Sequence, residues 1–154
     1  MIVVLQRVTY GNVTINGTIY GEVDRGLVIL LGVMSDDEEN DVDYLVNKVS
    51  GLRIFDDVNG KMNLSIKDVN GSALVVSQFT LCADTRKGRR PSFVHAALPE
   101  KGNALYEDFK IKMANQNIPV ESGEFGAMMS VNIQNDGPVT IIPVSFPHLT
   151  FPTI

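Results

Sequence analysis

The 154-residue chain reads as a β-rich α/β protein: an antiparallel or mixed twisted sheet, or partial β-barrel, with two main helices on one side in an α/β/β layering. Three observations predict this. Extended patterns open and close the sequence, only two stretches carry helical periodicity, and the run from Leu27 to Val33 is continuously apolar, as in a strand covered on both faces. Strands that flank two separated helices suit one sheet with its helices packed on a single face.

The opening residues alternate apolar and polar positions around Asn16-Gly17, the strongest short hairpin signal, because both central positions of a type I′ turn favour positive φ. Gly26 then opens the central strand. Ser35 and Glu38 have the capping-box spacing, and Val42, Leu45, Val46 and Val49 follow at helical intervals, which predicts a helix over about Asp36 to Ser50. A short strand over Arg53 to Phe55, a turn at Asp56 to Lys61, and an extended piece from Met62 to Ile66 come next. Asn70-Gly71 introduces a strand expected to run from Ser72 to Leu81. Pro99 precedes a second helix, about Glu100 to Asn115, with Leu105, Phe109 and Met113 on one stripe. Val120-Glu121 and two extended runs, Ala127 to Gln134 and Val139 to Val144, complete the expected elements. Residues 1–144 form one expected domain, and 145–154, with two prolines in SFPHLTFPTI, form an extended tail.

Composition excludes several classes. A chain this long buries roughly 70% of the surface its unfolded form exposes, so its core needs no disulfide staples. Cys82 is the single cysteine, and no charged, apolar and small-residue sequence marks secretion, so a cytoplasmic protein is expected. No apolar run approaches the ~20 residues of a membrane-spanning helix. The net charge of −5 argues against bulk electrostatic coating of nucleic acid. A local basic patch is a separate matter: Arg86, Lys87, Arg89 and Arg90 surround Gly88, just before Pro91 and Phe93.

Chemistry concentrates in three places. In LVVSQFTL, Ser77, Gln78, Phe79 and Thr80 end an otherwise apolar strand. Taken alone, this is either a core strand emerging into water or a set of hydroxyl, amide and backbone N–H groups converging on an oxyanion. Thr80 would be a nucleophile only with a base nearby, and the two histidines, His95 and His148, offer no recognisable triad or zinc-ligand spacing. No metal or cofactor is therefore expected. Asp136-Gly137-Pro138 reads in isolation as a hairpin turn, or alternatively as a step that presents backbone carbonyls to a ligand. The basic stretch is either a solvated loop or a phosphate-contacting one.

The motifs SQFTL, TRKGRRPSF, FGAMM and NDGPVT, with the opening VVLQRV and LRIFDD…GKMNLS, occur in an order and at separations that resemble the D-aminoacyl-tRNA deacylases over Met1 to about Val144. The resemblance implies a homodimer that hydrolyses the ester between a D-amino acid and the terminal ribose of tRNA, with glycyl-tRNA also admitted. It implies that Gly137 and Pro138 form a cis step reaching into the partner subunit's pocket, with Arg7 bracing it. Ser77, Gln78, Phe79 and Thr80 would line the reaction centre, and Phe125 and Met129 would wall the terminal adenosine. Arg86, Lys87, Arg89 and Arg90 would meet RNA. Members of the family have been read both with the residue matching Thr80 as nucleophile and with the ribose 2′-hydroxyl activating water; the missing base favours the second. The tail departs from the family's usual ending, and Met128 stands where acidic residues are common. A general esterase using Thr80 or Ser77, and a non-catalytic RNA-binding dimer, are the rival readings.

Overall fold

The computed structural model describes residues 1–146. The strands are β1 (Ile2–Ile15), β2 (Thr18–Val23), β3 (Gly26–Gly32), β4 (Phe55–Asp56), β5 (Met62–Leu64), β6 (Ser72–Ser77), β7 (Val120–Ser122) and β8 (Ser130–Ile141). The helices are α1 (Glu39–Gly51) and α2 (Pro99–Ala114), and a 3-10 turn spans Phe79–Cys82. Asn16 and Gly17 have φ of 51° and 78° and connect β1 to β2 as the expected two-residue turn.

The main sheet runs β2-β1-β3-β6-β7, with β8 on the other edge of β1. Pairings to β1 are antiparallel, whereas β3–β6 and β6–β7 are parallel, so the sheet is mixed as expected. It curls until β2 lies close to β7. There a Cβ on Gly21 would sit 2.8 Å from the carbonyl oxygen of Ser122, so only glycine permits that approach.

Strand alternation divides the core into two layers. Leu27, Ile29 and Leu31 of β3 join Val3, Leu5 and Val75 beneath Val42, Leu45 and Val49 of α1 and Tyr106, Phe109 and Met113 of α2. Val28, Leu74 and Val76 face the opposite way, against Met129, just before β8, and Val131 and Ile133 at its start. Burial on both faces explains the unbroken apolar run in β3. Each fully buried aliphatic side chain here contributes about 1.5–3 kcal/mol relative to exposure.

Three boundaries differ from expectation. Helix α1 begins at Glu39, not Asp36, because Asp37 turns inward: its carboxylate accepts from the Met1 amine at 2.7 Å and from the Met34 N–H at 2.6 Å. Glu38 takes the N-cap position instead of Ser35, and Asp41 completes the capping box by accepting from the Glu38 N–H at 2.8 Å. Strand β6 stops at Ser77 and turns into the 3-10 segment. The two closing runs form one strand, β8, with no hairpin between them. Of the tail, Ser145 accepts a hydrogen bond from the Met1 amine at 2.9 Å; residues 147–154 of the expected extended segment, with His148, lie outside the described residues. No helix among the described residues is long and apolar enough to cross a membrane.

Candidate functional site

The site is built on the end of β6. Beyond Ser77, the Gln78 N–H donates to the Leu31 carbonyl at 2.8 Å, a last sheet-like bond that holds the chain beside β3. The 3-10 turn then closes through Leu81 N–H to the Gln78 carbonyl and Ala83 N–H to the Thr80 carbonyl, both 3.2 Å. A helical turn leaves its first N–H groups without internal partners. Here those of Phe79 and Thr80 find no acceptor among the described residues. The Gln78 side-chain amide donates to the Thr80 hydroxyl oxygen, tying the turn to itself.

A cavity of about 640 Å³ opens beside this turn. Ser77, Gln78 and Phe79 form the wall from the end of β6, and Phe125 and Met129 form the wall from the segment between β7 and β8. Phe79 is 56% exposed and stands edge-on to Phe93, ring centres 5.1 Å apart, at the rim. The cavity walls carry no acid, base or thiol. Thr80 is next to the cavity in sequence but does not line it. Apolar walls around a few polar groups are the usual composition of a small-ligand site.

The expected alternatives for a base are placed elsewhere. The His95 Nε2 lies 3.8 Å from the Asp84 carboxylate. The Cys82 thiol is buried, donates to the Val33 carbonyl at 3.4 Å, and is pushed up in pKa by desolvation, which makes it a poor nucleophile. Both line a second cavity, beyond the 3-10 turn.

Gly137 and Pro138 lie within β8, joined by a cis peptide bond. Thr140 faces Gln6 and Asn135 faces Val8, so a single β1 residue, Arg7, stands opposite the four from Asp136 to Val139. The extra residues form a special bulge, larger than the usual two-against-one kind. Arg7 holds its base: Nε donates to the Asp136 carbonyl at 3.0 Å, and Nη1 donates to the Ile54 carbonyl at 2.8 Å. Asn135 closes the bulge by accepting from the Val139 N–H at 2.7 Å. At Gly137, φ is +134°, and a Cβ would meet Val139 Cγ2 at 2.8 Å and Arg7 Nη2 at 3.1 Å, so glycine is required twice over. Gly137 and Pro138 are exposed and are not among the residues lining their own chain's cavity.

The basic stretch forms a hairpin whose base is closed by reciprocal Asp84–Ser92 backbone bonds of 2.8 and 2.9 Å. Gly88, at φ +67°, supplies its bend. Arg86 folds back onto Asp84 through bonds of 3.0 and 2.7 Å, which hold the Asp84 carboxyl well below its ordinary range. Lys87, Arg89 and Arg90 are exposed and form no ion pair among the described residues.

The structure therefore gathers Ser77, Gln78, Phe79, Phe125 and Met129 around one cavity, and sets Gly137, Pro138 and Arg7 apart from it. The sequence reading missed Ala96, Ala97, Leu98 and Pro99 in the cavity wall, small or apolar residues without a chemical signature. Phe93 was visible beside the basic stretch as a ring able to stack.

A family model described as D-Tyr-tRNA(Tyr) deacylase matches residues 4–143. A protein of Thermosipho melanesiensis named D-aminoacyl-tRNA deacylase is 56% identical over 140 residues, covering 90% of this chain and 93% of its own. One of the same name from Exiguobacterium sibiricum is 51% identical, covering 92% and 98%. Among solved structures, one described as c-Myc DNA Unwinding Element Binding Protein is similar with a TM-score of 0.87 and 37% identity, over 93% of this chain and 97% of that one.

Proposed function

Because this chain belongs to the D-Tyr-tRNA(Tyr) deacylase family, we propose that it hydrolyses the ester of D-aminoacyl-tRNA and releases free tRNA and the D-amino acid. The observation that carries this reading is the strand end itself: Phe79 and Thr80 N–H groups without an acceptor among the described residues, beside a cavity whose walls hold no titratable side chain. Hydrolysis adds water to the ester carbonyl and develops negative charge on its oxygen. Preorganised backbone donors stabilise that charge and do not have to ionise. The water still needs a base, and a neighbouring ribose 2′-hydroxyl on the substrate provides an activating group that the cavity walls lack. Breaking the bond to the ribose oxygen, which takes up a proton, completes the reaction.

Phe125, Met129 and Phe79 suit the terminal adenosine, since aromatic and apolar surfaces stack on bases. Gly137 and Pro138 serve a second copy of the chain, placing backbone carbonyls where the substrate amino group lies and leaving no room for an L side chain. Their exposure, and their absence from their own chain's cavity, support a homodimeric site. Arg7 acts there as the brace of the bulge. Rejection by backbone geometry admits many D-amino acids, and glycine, without a pocket fitted to each. Lys87, Arg89 and Arg90 meet the RNA backbone, with Arg86 oriented by Asp84. The deacylase domain is residues 1–144, working in the cytoplasm on tRNA.

Purified protein, treated with chelator, is expected to release D-tyrosine from D-tyrosyl-tRNA faster than a control without enzyme. Release at only the spontaneous rate would overturn the proposal.

A further inference from the structure

Tyr106, on α2, has no exposed surface and is not among the residues that line the cavity. Its single O–H is shared between two carbonyl oxygens, that of Val75 at 3.0 Å and that of Gly123 at 3.2 Å. Val75 belongs to β6, two residues before Ser77; Gly123 directly follows β7 and begins the loop that carries Phe125 and Met129. The phenol thus bridges the bases of the two walls, where the β6–β7 pairing ends at Val75–Ser122 and the Gly123 N–H reaches the Val75 carbonyl. The same ring packs on Phe125, with centres 5.9 Å apart at 57°. One helical turn further on, Lys110 donates to the Ser122 hydroxyl at 3.2 Å and reinforces the end of β7.

The two carbonyls are not equally secured. Strand β6 is held on both edges, by β3 and β7. The described backbone bonds of residues 123–129 are local or long: Gly123 N–H to the Val75 carbonyl at 3.3 Å and Ala127 N–H to the Glu124 carbonyl at 3.2 Å. Loss of the phenol would release the Phe125 wall and leave the Ser77 wall in place. Burial pushes the Tyr106 hydroxyl up to about 12, so it remains a neutral donor under ordinary conditions.

We infer that Tyr106 is a positioning residue that sets the separation of the two cavity walls by holding the Gly123 carbonyl and the Phe125 ring, and thereby governs substrate affinity more than turnover. This inference rests on the deacylase reading. Tyr106→Phe removes the hydroxyl and keeps the ring, which limits the disturbance to the hydrogen bond. Its KM for D-tyrosyl-tRNA is expected to rise about five- to tenfold, the effect of one buried hydrogen bond, with kcat within about twofold.

Phe109→Leu is the control, because Phe109 is equally buried on the same helix and belongs to the core beneath the sheet. It is expected to lower Tm without moving KM. Amide hydrogen exchange over residues 123–129 should accelerate in Tyr106→Phe and not in Phe109→Leu. In the double variant Tyr106→Phe/Phe125→Leu, KM should rise no further than in Phe125→Leu alone, since both changes act through one wall. Unchanged KM and exchange in Tyr106→Phe, or an equal rise of KM in Phe109→Leu, would overturn the inference. The exchange measurement needs no activity, so a wild-type protein that hydrolyses no D-tyrosyl-tRNA would defeat the parent reading and still leave Tyr106 judged on its own.

Discussion

Replacing Arg7 by methionine tests how the Gly137-Pro138 bulge is held. Arg7 is only 6% exposed, and methionine retains most of its apolar stem, so the change removes the guanidinium without opening a large cavity. Two kinds of interaction disappear. The ion pairs reach Asp56 and Asp136 at 3.4 Å, and those carboxylates are 50% and 43% exposed, so each pair contributes less than about 1 kcal/mol. The hydrogen bonds to the Ile54 and Asp136 carbonyls, at 2.8 and 3.0 Å, are charge-assisted and contribute about 1.5–3 kcal/mol each. They dominate, giving an expected loss of about 3–6 kcal/mol. For a chain of this size that lowers Tm by roughly 10 °C. Arg7→Lys, a point charge without the planar fork, should retain about half of the stability. Thermal unfolding followed by circular dichroism reads both values. Deacylation measured well below either transition should fall about tenfold or more in Arg7→Met, because the bulge loses its brace. A Tm within about 2 °C of wild type, or full activity, would refute the bracing role.

Three further outcomes follow from the geometry. Thr80→Ala should retain turnover within about tenfold of wild type, whereas removing a true nucleophile costs on the order of 10⁴-fold or more; steady-state kinetics on D-tyrosyl-tRNA distinguishes the two. Arg89→Ala/Arg90→Ala should reduce the slope of log affinity against log salt by about 1.4–1.8 in tRNA-binding titrations, while Arg86→Ala, whose guanidinium is already engaged by Asp84, should change that slope less; equal slopes for the double variant and wild type would remove the hairpin from the RNA interface. Folding lowers the carboxyl pKa values of Asp57 and Asp68 through backbone hydrogen bonds and that of Asp84 through Arg86. The folded state binds these protons less readily than the unfolded state, so the stability they contribute is fully present above about pH 3.9 and fades as pH falls through the lowered values. Tm should be flat from about pH 7 to 5 and decline below about pH 4; a Tm that rises on acidification would contradict those shifts.

Much of this architecture is legible in the residues, and the exceptions have physical causes. The stripe Val42, Leu45, Val46 and Val49, the Asn16-Gly17 turn and the doubly buried β3 are local signals that tertiary packing reinforces. The start of α1 is not local: Asp37 is taken up by the amine of Met1, far away in sequence. Asp136-Gly137 carries every local mark of a hairpin, yet β1 is long enough for both flanks to pair along the same edge, and the turn residues are forced out as a bulge. At the site, Ser77, Gln78 and Phe79 are recognisable because polarity appears abruptly in an apolar strand. The walls from Ala96 to Pro99 are not, because small apolar residues acquire a role only from the cavity they enclose.

Single-turnover deacylation of D-tyrosyl-tRNA beside L-tyrosyl-tRNA, on the same tRNA and with chelator present, tests chirality most directly. A site that rejects an L side chain by backbone geometry should hydrolyse the D-ester rapidly and leave the L-ester at its spontaneous rate. Equal hydrolysis of both would contradict that geometry and point to a nonselective esterase, and hydrolysis of neither would favour a binding protein.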